Sequence, residues 1–239
     1  HLASAYFPSG FKKSIVLSLD GVGQFETGKL AIANNGKIKE CKFEAFFPNS
    51  MGLIYSALTF FLGWQHHCDE GIIMGLAPYG NPKYKDIIIN NLMDLKDDGS
   101  FRLDMSYFNY ATGLTMTNRK FDELFGQSVR NSSEQSLTQF HMDIAASIQK
   151  VTEEIMIKIA KSLKDEFKIS NLCLAGGVAL NCVANGKILN EKIFDNIWVQ
   201  PAAGDAGGSL GCALALWHNE LKNIKKTSIE DDMNGSFLG

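Results

Sequence analysis

Asp20 ends the apolar run "KKSIVLSLD", Gly176 and Gly177 end "ISNLCLAGG", and Gly204 with Asp205 follow "DNIWVQPAA". Each is a place where a strand-like segment gives way to a turn, and each carries residue types that handle anions or cations. Glycine lets backbone amides approach a ligand with no Cβ in the way. Aspartate supplies hard oxygen for a metal or an acceptor for a ligand hydroxyl. Asn181 opens the helix behind the glycine pair, where N-terminal amides favour an anion.

Two phosphate motifs begin in this chain and fail. Gly23, Gly28 and Lys29 match G-x-x-x-x-G-K, but Leu30 stands where Ser or Thr must hold magnesium. Gly21 and Gly23 start a G-x-G pattern, but Glu26 fills the third glycine position. Both motifs also open a helix, whereas "KLAIANNGKIKECKFEAF" has the pattern of strand, Asn-Gly turn, strand. Taken alone, Asp20 and Gly21 supply hairpin-turn chemistry. Asp205 has two readings, helix N-cap and ligand contact, of which capping is the commoner use of Asp. The adjacent His66 and His67 in "HHCDE" point different ways and have no second cluster at ligand spacing. His141 fits a surface or core place on a helix, and the G-x-S-x-G elbow of a serine hydrolase is absent.

The elements that must position these residues follow from periodicity. Lys12 to Phe47 has the pattern of a three-strand meander, and a helix follows over Met51 to Leu62. From about 63 to 132 the chain is irregular and is expected to be an insertion with its own helices and strands: a helical run at "KDIIINNLMDL", a hairpin "SFRLDMSYF…GLTMTNR" and a short helix "KFDELFG". A long helix begins at "SSEQSLTQF", with Ser and Glu in capping-box style, and carries Ile144, Ile148, Val151, Ile155 and Ile159 in one stripe. Two further strand-to-helix units close the chain. Strands alternating with helices predict an α/β fold with parallel pairing beside the meander, and ligands sit beyond the carboxyl ends of such strands.

Composition narrows the class. The 239 residues carry a net charge of -3, so no basic field points to nucleic acid. Five cysteines without a C-x-x-C pair suggest reduced thiols and a cytoplasmic setting. No stretch is long and apolar enough for a transmembrane helix.

Five ordered strings, spread over nearly the whole chain, resemble the nodulation-protein-type O-carbamoyltransferases: "HLASAYFPSGF", "LSLDGVGQFET", "MGLAPYG", "LAGGVALNCVANGKI" and "VQPAAGDAGGSLGCAL". That resemblance implies a ribonuclease H-like, actin-like fold with helices on both faces of the sheet, similar to the metal-binding subunit of tRNA threonylcarbamoyladenosine synthases. It implies that a separate domain makes carbamoyl adenylate from carbamoyl phosphate and ATP, and that this domain passes the carbamoyl group to a hydroxyl of a sugar-like or antibiotic-precursor acceptor. Carried over residue by residue, His1, Asp20 and Asp205 correspond to a divalent-metal site, iron first, with manganese or magnesium as alternatives. Asp20 and Asp205 also take the catalytic positions. Gly21, Gly23, Gly176, Gly177, Asn181 and Gly204 correspond to the nucleotide-contacting turns.

On this view, residues 1–239 form one domain, the second half of the actin-like core. The first half and the adenylate-forming domain are expected as partners from the same protein, and the chain alone is expected to be inactive. One departure is clear: the family's E-G-K-x-M-G-L-A-P-Y-G has Ile72 here in place of Lys. A sugar-kinase-like phosphotransferase and a non-catalytic nucleotide-binding module are the competing readings.

Overall fold

The computed structural model describes residues 1–227 apart from 42 and 44. In chain order the first elements are α1 (Leu2–Tyr6), β1 (Lys13–Leu19), β2 (Gly28–Asn34), β3 (Lys37–Cys41), α2 (Met51–Phe61), α3 (Glu70–Leu76) and α4 (Lys85–Ile87). Then come β4 (Met93–Leu95), β5 (Phe101–Leu103), α5 (Arg119–Phe125), α6 (Gln139–Phe167), β6 (Asn171–Ala175), α7 (Cys182–Asn190), β7 (Asn196–Val199) and α8 (Gly208–Ala215). They fall into two compact units, one made of His1–Phe46 with the described residues from Ala160 onward, the other of Phe47–Ile159.

The first unit is built on a five-stranded mixed sheet in the order β3-β2-β1-β6-β7. The meander is antiparallel, and Asn35 (φ 50°) and Gly36 (φ 76°) make the left-handed turn that the Asn-Gly pair predicts between β2 and β3. β6 lies parallel to β1, with Val16 opposite Cys173 and Ser18 opposite Ala175, and β7 lies parallel to β6. β1 is buried on both faces from Ser14 to Leu19, which is why its sequence is nearly continuously apolar. One face packs Val16, Ala31, Ala33, Cys173 and Ala175 against Ala5, Tyr6 and Phe7. Burying a side chain the size of Val16 or Phe7 contributes about 1.5–3 kcal/mol.

That packing fixes the start of the chain. The Tyr6 hydroxyl donates to the Lys12 carbonyl at 3.1 Å and accepts from the Gly36 amide at 3.0 Å, tying α1 to the β2–β3 turn. α8 lies close against α1 at Gly211, where an added Cβ would stand 3.1 Å from that of Ser4. His1, one residue before α1, is thereby held against the sheet edge.

The second unit contains α2 to α5, the β4–β5 pair and α6 as far as Ile159. Its core is aromatic: the rings of Phe61, Phe121 and Phe125 lie 5.0–5.5 Å apart, and Phe140 stacks edge-on against Tyr84. Two sequence expectations are corrected here. α6 begins at Gln139, not at the Ser-Glu pair, because the Asn131 side chain accepts from the Ser133 amide and hydroxyl and its carbonyl accepts from Glu134 and Gln135. These bonds close a separate turn, a competing use of short polar side chains. The other correction is to the hairpin: Phe101–Leu103 pairs with Met93–Leu95, the end of the run expected to be helical. The second arm meets the first through an isolated bridge between Phe108 and Thr117 and through the Asn109 amide, which donates to the Met116 carbonyl at 3.0 Å. The Asp104 carboxylate accepts from the Ser106 amide, starting a tight turn that ends β5.

Candidate functional site

Because β1, β6 and β7 are parallel, their carboxyl ends share one edge, and the three turns leaving them meet there. Hydrogen bonds join the turns. The Gly176 amide donates to the Ala203 carbonyl at 2.8 Å, and the Gly177 amide donates to Asp20 Oδ1 at 3.1 Å. Asp20 Oδ1 also accepts from the Gly21 amide at 2.9 Å. The loop from Asp20 closes on itself through Asp20 N to Thr27 O at 2.9 Å and Gly23 N to Glu26 O at 2.8 Å.

Glycine is required at the centre. Gly176 has φ 83°, and a Cβ there would stand 2.1 Å from the Leu19 carbonyl oxygen. On Gly177 a Cβ would stand 2.9 Å from Asp20 Oδ1, whereas on Gly204 it would make only ordinary contact, 3.7 Å from Gly177 Cα. The backbones pack this closely because no side chain intervenes.

His1 Nε2 approaches Asp20 Oδ2 at 2.7 Å and Asp205 Oδ1 at 3.3 Å. His1 and Asp20 are largely covered, with side chains 22% and 19% exposed, whereas Asp205 is 98% exposed. The Asp20 carboxylate bonded to it raises the His1 imidazole above its ordinary pKa, against partial burial, and Asp205 adds to the rise. Burial alone would raise Asp20, but the bond to His1 and the amides of Gly177 and Gly21 outweigh it and hold the carboxyl below the usual range. Both shifts favour a protonated His1 against a charged Asp20.

One imidazole nitrogen and two carboxylate oxygens lie within 4.8 Å of one another. That donor set suits a hard to borderline divalent ion of the iron–manganese class, and ligation at Nε2 would displace the His1 proton. His1 Nδ1 is buried with no hydrogen-bond partner among the described residues, which leaves Nε2 as the nitrogen facing the carboxylates.

The structure thus brings His1, Asp20, Gly21, Gly176, Gly177, Gly204 and Asp205 together. Gly23 stands further along the first loop, and Asn181 caps α7, its side chain accepting from the Ala184 amide at 3.0 Å. Asp205 makes no capping bond: it opens a short 3-10 turn, and α8 starts after Gly207. Gln200, the first residue beyond β7, is 3% exposed on the same edge and escaped the sequence reading. Its only signal is a polar residue ending an apolar run.

Residues 1–214 match the family model described as the carbamoyltransferase N-terminus. An uncharacterised protein of Synechocystis sp. is 54% identical over 239 residues, covering 100% of this chain and 38% of that protein. The nodulation protein NolNO of Sinorhizobium fredii is 38% identical, covering 100% of this chain and 33% of its own length. NolO of Bradyrhizobium diazoefficiens is 37% identical, with 100% and 41% covered. The chain spans about a third to two fifths of the length of these curated relatives. No helix among the described residues is long and apolar enough to cross a membrane.

Proposed function

Because the chain belongs to the carbamoyltransferase family, we propose that its three-turn edge is the transfer site at which a carbamoyl group passes from carbamoyl adenylate to an acceptor hydroxyl. The observation that carries this reading is the meeting of His1, Asp20 and Asp205 beside glycine turns whose backbones come this close. In the reaction the acceptor oxygen bonds to the carbamoyl carbon, the anhydride bond to AMP breaks, and the hydroxyl proton leaves to a base. A divalent ion, iron first and manganese or magnesium as alternatives, would be held by His1, Asp20 and Asp205 and would supply Lewis-acid polarisation of the donor.

The chain's own residues prepare the site. The amides of Gly21 and Gly177 hold one oxygen of Asp20 and leave the other directed at His1. The glycine turns of residues 20–23, 176–177 and 204 offer backbone to an adenylate phosphate, and the N-terminus of α7 favours the same charge. Meander, parallel strands and three ligand-facing turns are what an actin-like half-core would need, and we place this chain in such a core. Formation of carbamoyl adenylate from carbamoyl phosphate and ATP is assigned to the part of the relatives' length that the chain does not span. The acceptor is taken to be a small sugar-like or antibiotic-precursor alcohol.

Isothermal titration of the chain with Mn2+ and then AMP tests the reading. Metal-dependent nucleotide binding that drops at least a hundredfold in Asp20→Asn is the expected result. Undiminished metal and nucleotide binding in Asp20→Asn would remove the assigned roles. With carbamoyl phosphate, ATP and an acceptor but no other protein, no carbamate product is expected.

A further inference from the structure

The stretch that follows α8 has its polarity inside out. Leu216, Trp217, Leu221 and Ile224 are 52–92% exposed, whereas the basic side chains His218 and Lys225 turn inward. Hydrophobic burial alone would choose the reverse, so the two inward residues are held by specific contacts. Both contacts fall at the end of α1. The His218 imidazole stacks on the Phe7 ring, with centroids 4.3 Å apart and 21° between planes, and its Nδ1 lies 2.9 Å from the Asn223 carbonyl. Lys225 is 8% exposed, and its Nζ stands over the Tyr6 ring, 4.9 Å from the centroid.

A covered ammonium is costly to desolvate. Among the described residues the Lys225 Nζ donates to the Lys226 carbonyl at 3.2 Å, and no carboxylate pairs with it. A methionine would fill the same space without that cost. What the cation adds is attraction to the face of a ring, and this ring carries the hydroxyl that joins Lys12 to Gly36. Later residues thus hold α1 at three points: Gly211 beside Ser4, His218 on Phe7 and Lys225 on Tyr6. The first turn of α1 in turn holds His1, whose carbonyl accepts from the Ser4 hydroxyl at 2.8 Å and from the Ala5 amide at 3.1 Å.

Resting on the metal-site reading above, we infer that residues 216–225 are a brace that sets the place of α1 and, through it, the approach of His1 Nε2 to the Asp20 and Asp205 carboxylates. The two aspartates follow strands of the sheet, whereas His1 precedes a helix of only five residues. A helix that short is not stable by itself, so the place of the imidazole depends on what packs against α1. Lys225 and His218 supply no ligand atom; they are positioning residues that act through Tyr6 and Phe7. Loosening the brace leaves the carboxylates where they are and lets the imidazole drift, so metal affinity falls while the fold persists.

The test is isothermal titration of the chain with Mn2+ in paired variants. Lys225→Met keeps the apolar stem and removes the cation, and a loss of about tenfold in Mn2+ affinity is expected, the scale on which residues behind metal ligands act. Lys225→Arg keeps a cation over the ring and should restore affinity to within about threefold. His218→Ala should cost at least about threefold, whereas His218→Phe keeps the stack and should not. In metal-free protein the His1 imidazole signals in NMR should move in Lys225→Met and His218→Ala and return in Lys225→Arg and His218→Phe. Urea unfolding of each variant separates positioning from folding. A residue that only supports the fold would shift the unfolding midpoint and leave both Mn2+ affinity and the His1 signals as in the native chain, and that result would overturn the brace. Equal losses in Lys225→Met and Lys225→Arg would overturn the part given to the cation. If Lys225→Met does not fold, the His218 pair decides by the same two readouts. Absence of Mn2+ binding by the native chain would remove the metal reading, and the His1 signals would still decide the brace, which falls if they stay unmoved in His218→Ala and Lys225→Met.

Discussion

Asp143 in one compact unit and Asp20 in the other are aspartates held in contrasting ways. In the second unit Asp143, 2% exposed, accepts from the Asn81 amide at 2.8 Å and from Gln139 Nε2 at 2.9 Å, and pairs with Lys83 at 2.7 Å. Its oxygens are matched by donors, and the result pins the "MGLAPYGNPKY" segment to α6. In the first unit Asp20 spends one oxygen on backbone amides and leaves the other facing a histidine and a second carboxylate. Two aspartates pointing at one imidazole is an arrangement that packing alone does not need. A carboxylate matched by protein donors serves the fold, whereas one that shares an imidazole with a second carboxylate has the make-up of a ligand site.

Backbone substitutions should break that contrast most strongly. Gly176→Ala puts a Cβ 2.1 Å from the Leu19 carbonyl at φ 83°, and a loss of at least about 3 kcal/mol in urea unfolding is expected. Gly186→Ala in α7 meets nothing within 4 Å, and a gain of roughly 0.5–1 kcal/mol is expected from helix propensity. If both cost the same, close approach of the turns is not what selects glycine at 176.

Next comes Asp143→Ala, which strands the Asn81 amide and the Gln139 amide group; about 2–3 kcal/mol should be lost in denaturant melts, with Mn2+ affinity unchanged. The same residue predicts an acid limb. Burial alone would raise Asp143, but the Asn81 amide, Lys83 and Gln139 more than offset it and hold the carboxyl below its ordinary range. A carboxyl whose folded pKa is depressed takes up protons first in the unfolded chain, so its stabilisation is present above the ordinary carboxylate value and fades as pH falls through the folded one. The stability profile of Asp143→Asn should be flatter across that acid interval than that of the native chain, and an identical slope would show that Asp143 does not carry the limb.

The sheet was legible because its strands are short apolar runs bounded by Asn-Gly or glycine pairs, and parallel pairing followed from strands alternating with helices. The edge where Asp20, Gly176, Gly177, Gly204 and Asp205 meet followed from the same logic, since turns after parallel strands must share a side. What stayed hidden depended on partners distant in sequence. Asp143 precedes the apolar stripe of α6 by one residue, and nothing local reveals that Lys83, sixty positions earlier, comes to meet it. The start of α6 was misplaced because Asn131 captured Ser133 before a helix could use it. Periodicity could not show how close His1 lies to the carboxylates, because that depends on the packing of α1 against α8 and on the Tyr6 bonds.

The smallest effect should separate the two aspartates beside His1 from each other. Asp205 is 98% exposed and reaches His1 at 3.3 Å, so solvent screens it. Asp20 is 19% exposed, sits at 2.7 Å and is oriented by two amides. Asp205→Asn should change folding stability by no more than about 0.5 kcal/mol. In metal-free protein both substitutions should lower the His1 pKa followed by NMR, because each removes negative charge that favours the imidazolium, with Asp20→Asn producing the larger fall. Mn2+ affinity should follow the same order. Equal shifts would mean that the buried and exposed carboxylates act alike on His1, and the distinction between a held ligand and a loose one would then collapse.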